Sequence, residues 1–263
     1  ELDENIEEPM MMEEFINKLL QDPSIGRTAH QYLLDAIEHF GKRKIFENGE
    51  EKERYIFFDD PKNDGEHSVM GNTDMLNKFV DTLRMIANSD ERIQKILLFN
   101  GPTATGKSEL KRCIINGLKA YSKTEEGKRY TCEWNLNGSS QQNGSMTYGD
   151  DKSVNQDDWY ESPVQINPIS VLPEKVRRSL YNEFDYKYDL PYDIDLDPFS
   201  QKVYEDLVSN YNRNSSDRIF SKIISKDHLR INRYIMDKKK GIGVINAEDD
   251  GSVKERLLGT WMP

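Results

Sequence analysis

The sequence predicts an α/β protein organised around a strand, a glycine-rich loop and a helix. Three observations predict it. The apolar run at 96–99, Ile-Leu-Leu-Phe, has no alternation and reads as a central parallel strand buried on both faces. Gly101-Pro-Thr-Ala-Thr-Gly-Lys-Ser108 follows it directly. Leu110, Ile114, Leu118 and Tyr121 then recur at helical spacing and mark one inner face.

The remaining elements follow in chain order. Residues 13–20 carry Phe15, Leu19 and Leu20 and stop before Asp22-Pro23, a short amphipathic helix after the run Met10, Met11, Met12. Ala29, Tyr32, Leu33, Ala36, Ile37 and Phe40 predict a helix over 28–40, and Gly41 sits where a terminating glycine belongs. The run at 55–58, closed by Asp59-Asp60-Pro61, reads as a strand or an extended lead-in with a turn. Asn72-Thr73-Asp74 is expected to cap a third helix with the stripe Met75, Leu76, Phe79, Val80, Leu83, Ile86 and Ala87. Residues 130–134 read as the next strand. Residues 137–158 are Asn, Gly, Ser, Gln and Asp with almost nothing to bury, which predicts a polar, flexible insertion. Pro173 is expected at the first position of a helix through Phe184, and Pro198 opens another with Phe199, Val203, Leu207 and Tyr211 on one face. The tail at 218–259 reads as short strands.

The glycine-rich loop satisfies G-x-x-x-x-G-K-[ST], and its context of buried strand and amphipathic helix is the one its chemistry needs. Gly101 and Gly106 let the backbone curl so that successive N–H groups face phosphate oxygens. Pro102, Thr103, Ala104 and Thr105 complete the cradle, and Lys107, Ser108 and Glu109 open a helix whose N-terminus faces the same anion. Lys107 supplies a mobile positive charge to the β- and γ-phosphates and is the catalytic candidate. Ser108 offers a hydroxyl to Mg²⁺. The expected ligand is therefore ATP with Mg²⁺, on a P-loop NTPase core.

A phosphate cradle alone hydrolyses nothing; an acidic residue at the end of a second strand must help hold the metal. Downstream of the loop no apolar strand ends in Asp-Glu. Asp249-Asp250 and Asp59-Asp60 are the places such a residue could hide, and Arg177, Arg178, Arg213 and Arg218 are candidate arginine fingers by residue type only. Gly241-x-Gly243 lacks the third glycine of a dinucleotide site. His30, His39, His67 and His228 are too scattered for a metal cluster, and Lys238-Lys239-Lys240 reads as a solvated turn.

Composition narrows the partners. The 263 residues are 36% hydrophobic and 32% charged, with a net charge of −11. The mean hydropathy is −0.81 and the pI near 5.0. Such a chain repels phosphate backbones, so nucleic acid is not an expected partner. No run approaches the ~18 apolar residues of a membrane span, and no signal-peptide pattern is present. Two cysteines, Cys113 and Cys132, fit a reducing, cytoplasmic setting. The first residue is Glu1 rather than Met, so a preceding piece is expected to be missing.

The block Gly117-Leu-Lys-Ala-Tyr-Ser-Lys-Thr-Glu-Glu-Gly127, just after the loop, resembles the PrkA-type serine protein kinase family. Ser162-Pro163-Val, Pro168, Leu172-Pro173, Ile224-Ser225 and Gly241-Ile-Gly243 are similar to later segments of that family. Phe57-Phe58 through Gly71, with the helix to Ala87, is similar to the start of its AAA+ module. The resemblance implies a three-layer AAA+ core, ATP and Mg²⁺, homo-oligomeric assembly and a protein substrate that the sequence does not name. It implies a chain ending before the family's acidic strand, sensor and arginine finger, and so a truncated module. The expected division is 1–50 (N-terminal helices), 51–136 (first part of the core), 137–158 (insertion) and 159–263 (continuation). No His-Arg-Asp or Asp-Phe-Gly triplet of ordinary protein kinases occurs. The alternatives are a nucleotide-binding assembly or regulatory module without turnover, a small-substrate P-loop kinase, or a tRNA dimethylallyl transferase. The last shares Gly-Pro-Thr-Ala-x-Gly-Lys but places it near the chain start, with an Asp-Ser-x-Gln-x-Tyr block that is missing here.

Overall fold

A computed structural model describes residues 7–88, 100, 106–135, 159–183, 185–188, 190, 194–212 and 219–236. Over these residues the chain is mixed α/β. In order, the elements are α1 (Met12–Gln21), α2 (Ala29–His39), β1 (Lys42–Glu47), β2 (Glu50–Tyr55), α3 (Thr73–Ala87), α4 (Lys107–Ser122), β3 (Tyr130–Asn135), β4 (Trp159–Glu161), α5 (Glu174–Tyr181), α6 (Pro198–Asn212), α7 (Ile219–Ile223) and β5 (Leu229–Arg233). The strand predicted at 96–99, loop residues 101–105, the stretch 137–158 and everything from 237 onward lie outside the described residues.

Helix ends follow local chemistry. Thr28 accepts from the Gln31 N–H at 3.3 Å, and the Gln31 side chain returns the bond to the Thr28 N–H at 2.9 Å, so α2 opens on a reciprocal cap. It stops at Gly41, whose φ of +74° only glycine adopts cheaply. The cap of α3 differs from expectation. Asn72 occupies the N-cap position but has φ +56° and makes no side-chain cap bond. The carboxylate of Glu47, at the end of β1, takes the Thr73 N–H instead, at 3.3 Å. Asp197 caps α6, accepting from Phe199 N–H and Ser200 N–H at 3.0 and 3.1 Å. Pro173 is the N-cap of α5 rather than its first helical residue, and the helix ends at Tyr181.

Two readings are corrected by packing. The run at 55–58 is not a strand throughout. β2 ends at Tyr55, and Ile56–Asp59 form one tight 3₁₀ turn. Phe57 and Phe58 are both fully buried in the same core cluster with ring centres 5.5 Å apart, which a strand, sending neighbouring side chains to opposite faces, would not allow. Before it, β1 and β2 form an antiparallel hairpin in register Lys42↔Tyr55 to Glu47↔Glu50, closed by Asn48 and Gly49 at φ +54° and +85°. Among the described residues of the tail, Ile219–Ile223 is a helix and Leu229–Arg233 a strand. That strand joins β3 and β4 in an antiparallel sheet of order β4-β3-β5, and Met10 bridges to Ile231 at its edge.

The described residues pack into two apolar clusters. One gathers α2, α3 and α4 around Phe57 and Phe58. The other gathers α1, β3, β5 and α6 around Trp134, whose indole N–H donates to Ser200 Oγ at 3.0 Å. Met10 and Met12 belong to this second core, while Met11 is exposed.

Candidate phosphate-binding site

Gly106, Lys107, Ser108 and Glu109 are the predicted site residues that the structure describes; Gly101, Pro102, Thr103, Ala104 and Thr105 lie outside the described residues. Gly106 is the N-cap of α4 at φ +79°, ψ +7°. A side chain there would meet nothing closer than Val69 Cγ1 at 4.0 Å, so the backbone conformation, not crowding, calls for glycine. The Leu110 N–H donates to the Gly106 carbonyl at 2.8 Å, closing the first turn. Gly106 has no side chain with which to cap this helix. The first turn of a helix leaves its N–H groups without intrahelical acceptors, with the positive end of the helix dipole behind them. Lys107 is partly buried and Ser108 exposed.

The start of α4 is held by the turn that follows β2. The Cys113 thiol, pushed up to about 12 by burial, donates to the Phe57 carbonyl at 3.1 Å. Asn116 donates to both carboxylate oxygens of Asp60, at 3.3 and 3.2 Å. The His67 ring meets Glu109 Oε2 at 2.8 Å, and Arg112 donates to Glu109 Oε1 at 2.8 Å. The Glu109 carboxylate is therefore engaged on both oxygens. Sequence reasoning set His67 aside as a scattered histidine; its pairing with Glu109 crosses 42 positions and leaves no local signal.

Asp59 and Asp60 are built into this turn. Asp59 sits between Arg43 and Arg54, at 2.6 and 2.7 Å. Burial alone would raise its carboxyl, but the two guanidinium groups hold it below the usual carboxylate range. Asp60 is buried and accepts from Asn116, from Asn63 at 3.2 Å and from the His67 N–H at 3.1 Å. Arg177 is also internal, donating to the carbonyls of Ser170 and Ile194 at 3.1 and 2.9 Å, and so is not placed to reach a neighbouring subunit. Arg178 pairs with Glu174 on the same helix. Asp249, Asp250, Arg213 and Arg218 lie outside the described residues.

Among the described residues no three His, Cys, Asp or Glu side chains gather as a metal site, and no helix is long and apolar enough to cross a membrane. A cleft of about 600 Å³ opens at the other end of α4, between Arg27, His39, Tyr121, Glu126 and Lys187. No predicted site residue lines it. Its floor is the buried pair Arg27–Asp35 at 2.6 Å, with Tyr121 and Lys187 completing the network.

With the loop's neighbours placed, the chain can be set beside known proteins. Over 241 residues, 91% of its length, it is 21% identical to the protein named ATP-dependent protease PrkA of Bacillus subtilis (strain 168). The likeness to PrkA is distant. The chain spans only 30% of that protein's length. No family model matches the chain, and no solved structure matches it. The matched span includes α4 and both sides of it.

Proposed function

We propose that this chain is the ATP-binding part of a PrkA-like AAA+ ATPase, holding ATP–Mg²⁺ on residues 101–106 and the first turn of α4. The observation that carries the reading is Gly106 at φ +79° as the N-cap of α4, followed at once by Lys107 and Ser108. In this reading the N–H groups of the first turn and the Lys107 ammonium bind the β- and γ-phosphates. The Ser108 hydroxyl, which is exposed, would be the protein ligand of Mg²⁺. The ion, when bound, neutralises the triphosphate and orients it for attack. The name of the similar protein, ATP-dependent protease, supports ATP use; the sequence resemblance points to serine phosphotransfer. Both act on a protein, and the present reading is limited to the nucleotide step they share, with self-assembly expected as in other AAA+ proteins.

A second reading is favoured by one observation: Asp59 and Asp60, the acidic pair beside α4, are engaged by Arg43, Arg54 and Asn116. On that ground the chain by itself would bind ATP as an assembly or regulatory module with little turnover. Calorimetric titration tests the shared claim. ATP–Mg²⁺ should bind the wild-type chain, and Lys107→Ala should weaken binding about tenfold or more, the value of one charge-assisted contact. Equal affinities would sink the reading.

A further inference from the structure

Arg129 lies at the end of α4 remote from Lys107. It immediately precedes β3, and its guanidinium stands 4.7 Å from the centre of the Tyr32 ring. Arg27 approaches the same ring at 5.2 Å and also donates to the hydroxyl of Tyr121, in the last turn of α4. That helix has 16 residues, so about 24 Å separates its two ends.

The cations around Arg129 all have acidic partners. Arg27 pairs with Asp35 at 2.6 Å. Lys128 pairs with Glu125 at 2.6 Å and Glu7 at 3.3 Å. Arg233 pairs with Glu7 at 3.4 Å. Arg129 differs. Among the described residues no carboxylate, carbonyl or hydroxyl accepts from its side chain; the Tyr234 N–H donates to the Arg129 backbone carbonyl at 2.8 Å. The side chain is only partly exposed. Burial, with Arg27 close by, holds the guanidinium below the usual arginine range, against the pull of Tyr32 and Tyr234.

A guanidinium brings five N–H donors in a rigid planar fork and does not lose its proton. Withdrawing it from water without an anion costs free energy, which is why buried cations are normally paired. Stacking on Tyr32 returns part of that cost and fixes the plane of the fork. What remains is an oriented set of donors, reachable from solvent, that has no anion among the described residues.

We propose that Arg129, stacked on Tyr32, is a binding site for an oxyanion group, phosphate or carboxylate, separate from the phosphate loop. The planar fork suits bidentate contact with either group. The proposal does not depend on ATP binding at 101–108.

The test uses inorganic phosphate and acetate as probes, titrated against the whole chain at constant ionic strength with chloride as the reference salt. The readout is the melting temperature. Wild type should show a saturable rise with phosphate, acetate or both. The anion that half-saturates at lower concentration identifies the group, phosphoryl or carboxyl. Arg129→Gln should require at least tenfold more anion, and Arg129→Lys, which keeps the charge and loses the fork, should fall between the two. The difference between chains isolates Arg129 from any phosphate taken up at 101–108. A second measurement removes the folding ambiguity. In anion-free buffer Arg129→Met should melt no lower than wild type, because it removes an uncompensated charge. Equal responses of wild type and Arg129→Gln, no saturable response to either anion, or an Arg129→Met chain that melts well below wild type would each overturn the proposal.

Discussion

The ring of Phe57 occupies the space that a side chain at Gly117 would need. The contact joins the 3₁₀ turn after β2 to the middle of α4, and it lies beside two polar links between the same segments, Cys113 to the Phe57 carbonyl and Asn116 to Asp60. The turn and the helix that carries Lys107 are thereby one packed unit.

Gly117→Ala should destabilise the protein by about 1–3 kcal/mol, since the added methyl must displace a fully buried ring. At an exposed helix position the same change would stabilise by about 0.5–1 kcal/mol. Urea denaturation reads the sign directly; a stabilised variant would show that Phe57 yields without cost.

Asp35→Asn should be far more damaging. Asp35 neutralises Arg27 inside the fold and also accepts from Lys187 and Tyr188. Breaking a buried pair while leaving the guanidinium in place costs about 3–5 kcal/mol. The midpoint of denaturant unfolding should fall accordingly, and the double change Arg27→Met with Asp35→Leu should recover much of the loss.

Acid stability should depend on Glu7. Burial alone would raise its carboxyl. Hydrogen bonds from Lys18 and Tyr130, with the Lys18 charge and Lys128 adding, overcome this and hold it at about 2, below the ordinary 4.5. The folded pKa is depressed, so the stabilisation is complete above 4.5 and is lost as pH falls from 4.5 toward 2. Allowing for solvent screening at a partly exposed group, the contribution is on the order of 1 kcal/mol. Glu7→Gln should flatten the pH dependence of the melting temperature in that window and leave its slope above pH 6 unchanged.

Turnover of ATP by this chain alone should be slow, roughly a thousandfold or more below that of a complete ATPase, the amount an arginine finger alone supplies in other nucleotidases. In the proposed site Lys107 and Ser108 would act on the ground-state triphosphate, whereas rate enhancement needs groups that bind the transition state more strongly. Phosphate-release assays check this. Fast turnover abolished by Lys107→Ala would direct attention to Asp249 and Asp250.

The helices were legible in the sequence because their signals are local. Of the predicted stripe, Leu76, Phe79, Val80, Leu83, Ile86 and Ala87 are buried as their period requires while Met75 at its start is exposed, and Gly41 ends α2 as its conformational freedom allows. The glycine–lysine–serine end of the glycine-rich loop likewise announced a helix start, and α4 begins at Lys107. The β1–β2 hairpin escaped because charged residues surround its Asn48-Gly49 turn, and its pairing rests on cross-strand partners such as Lys42 and Glu53 rather than on an apolar face.

The sequence by itself determined where most helices lie, how they stop, and which loop has the composition to hold a phosphate. Each depends on residues within one or two turns of one another, where spacing and cap chemistry suffice. Only the tertiary structure decided that Phe57 and Phe58 turn inward together, that residues 130–135 pair antiparallel with 229–233, that His67 meets Glu109, and that Arg129 has no acidic partner among the described residues while Arg27 has one. These depend on which charges and rings arrive at one place from distant parts of the chain. Burial sets the energy of each meeting, and burial is a property of the folded whole.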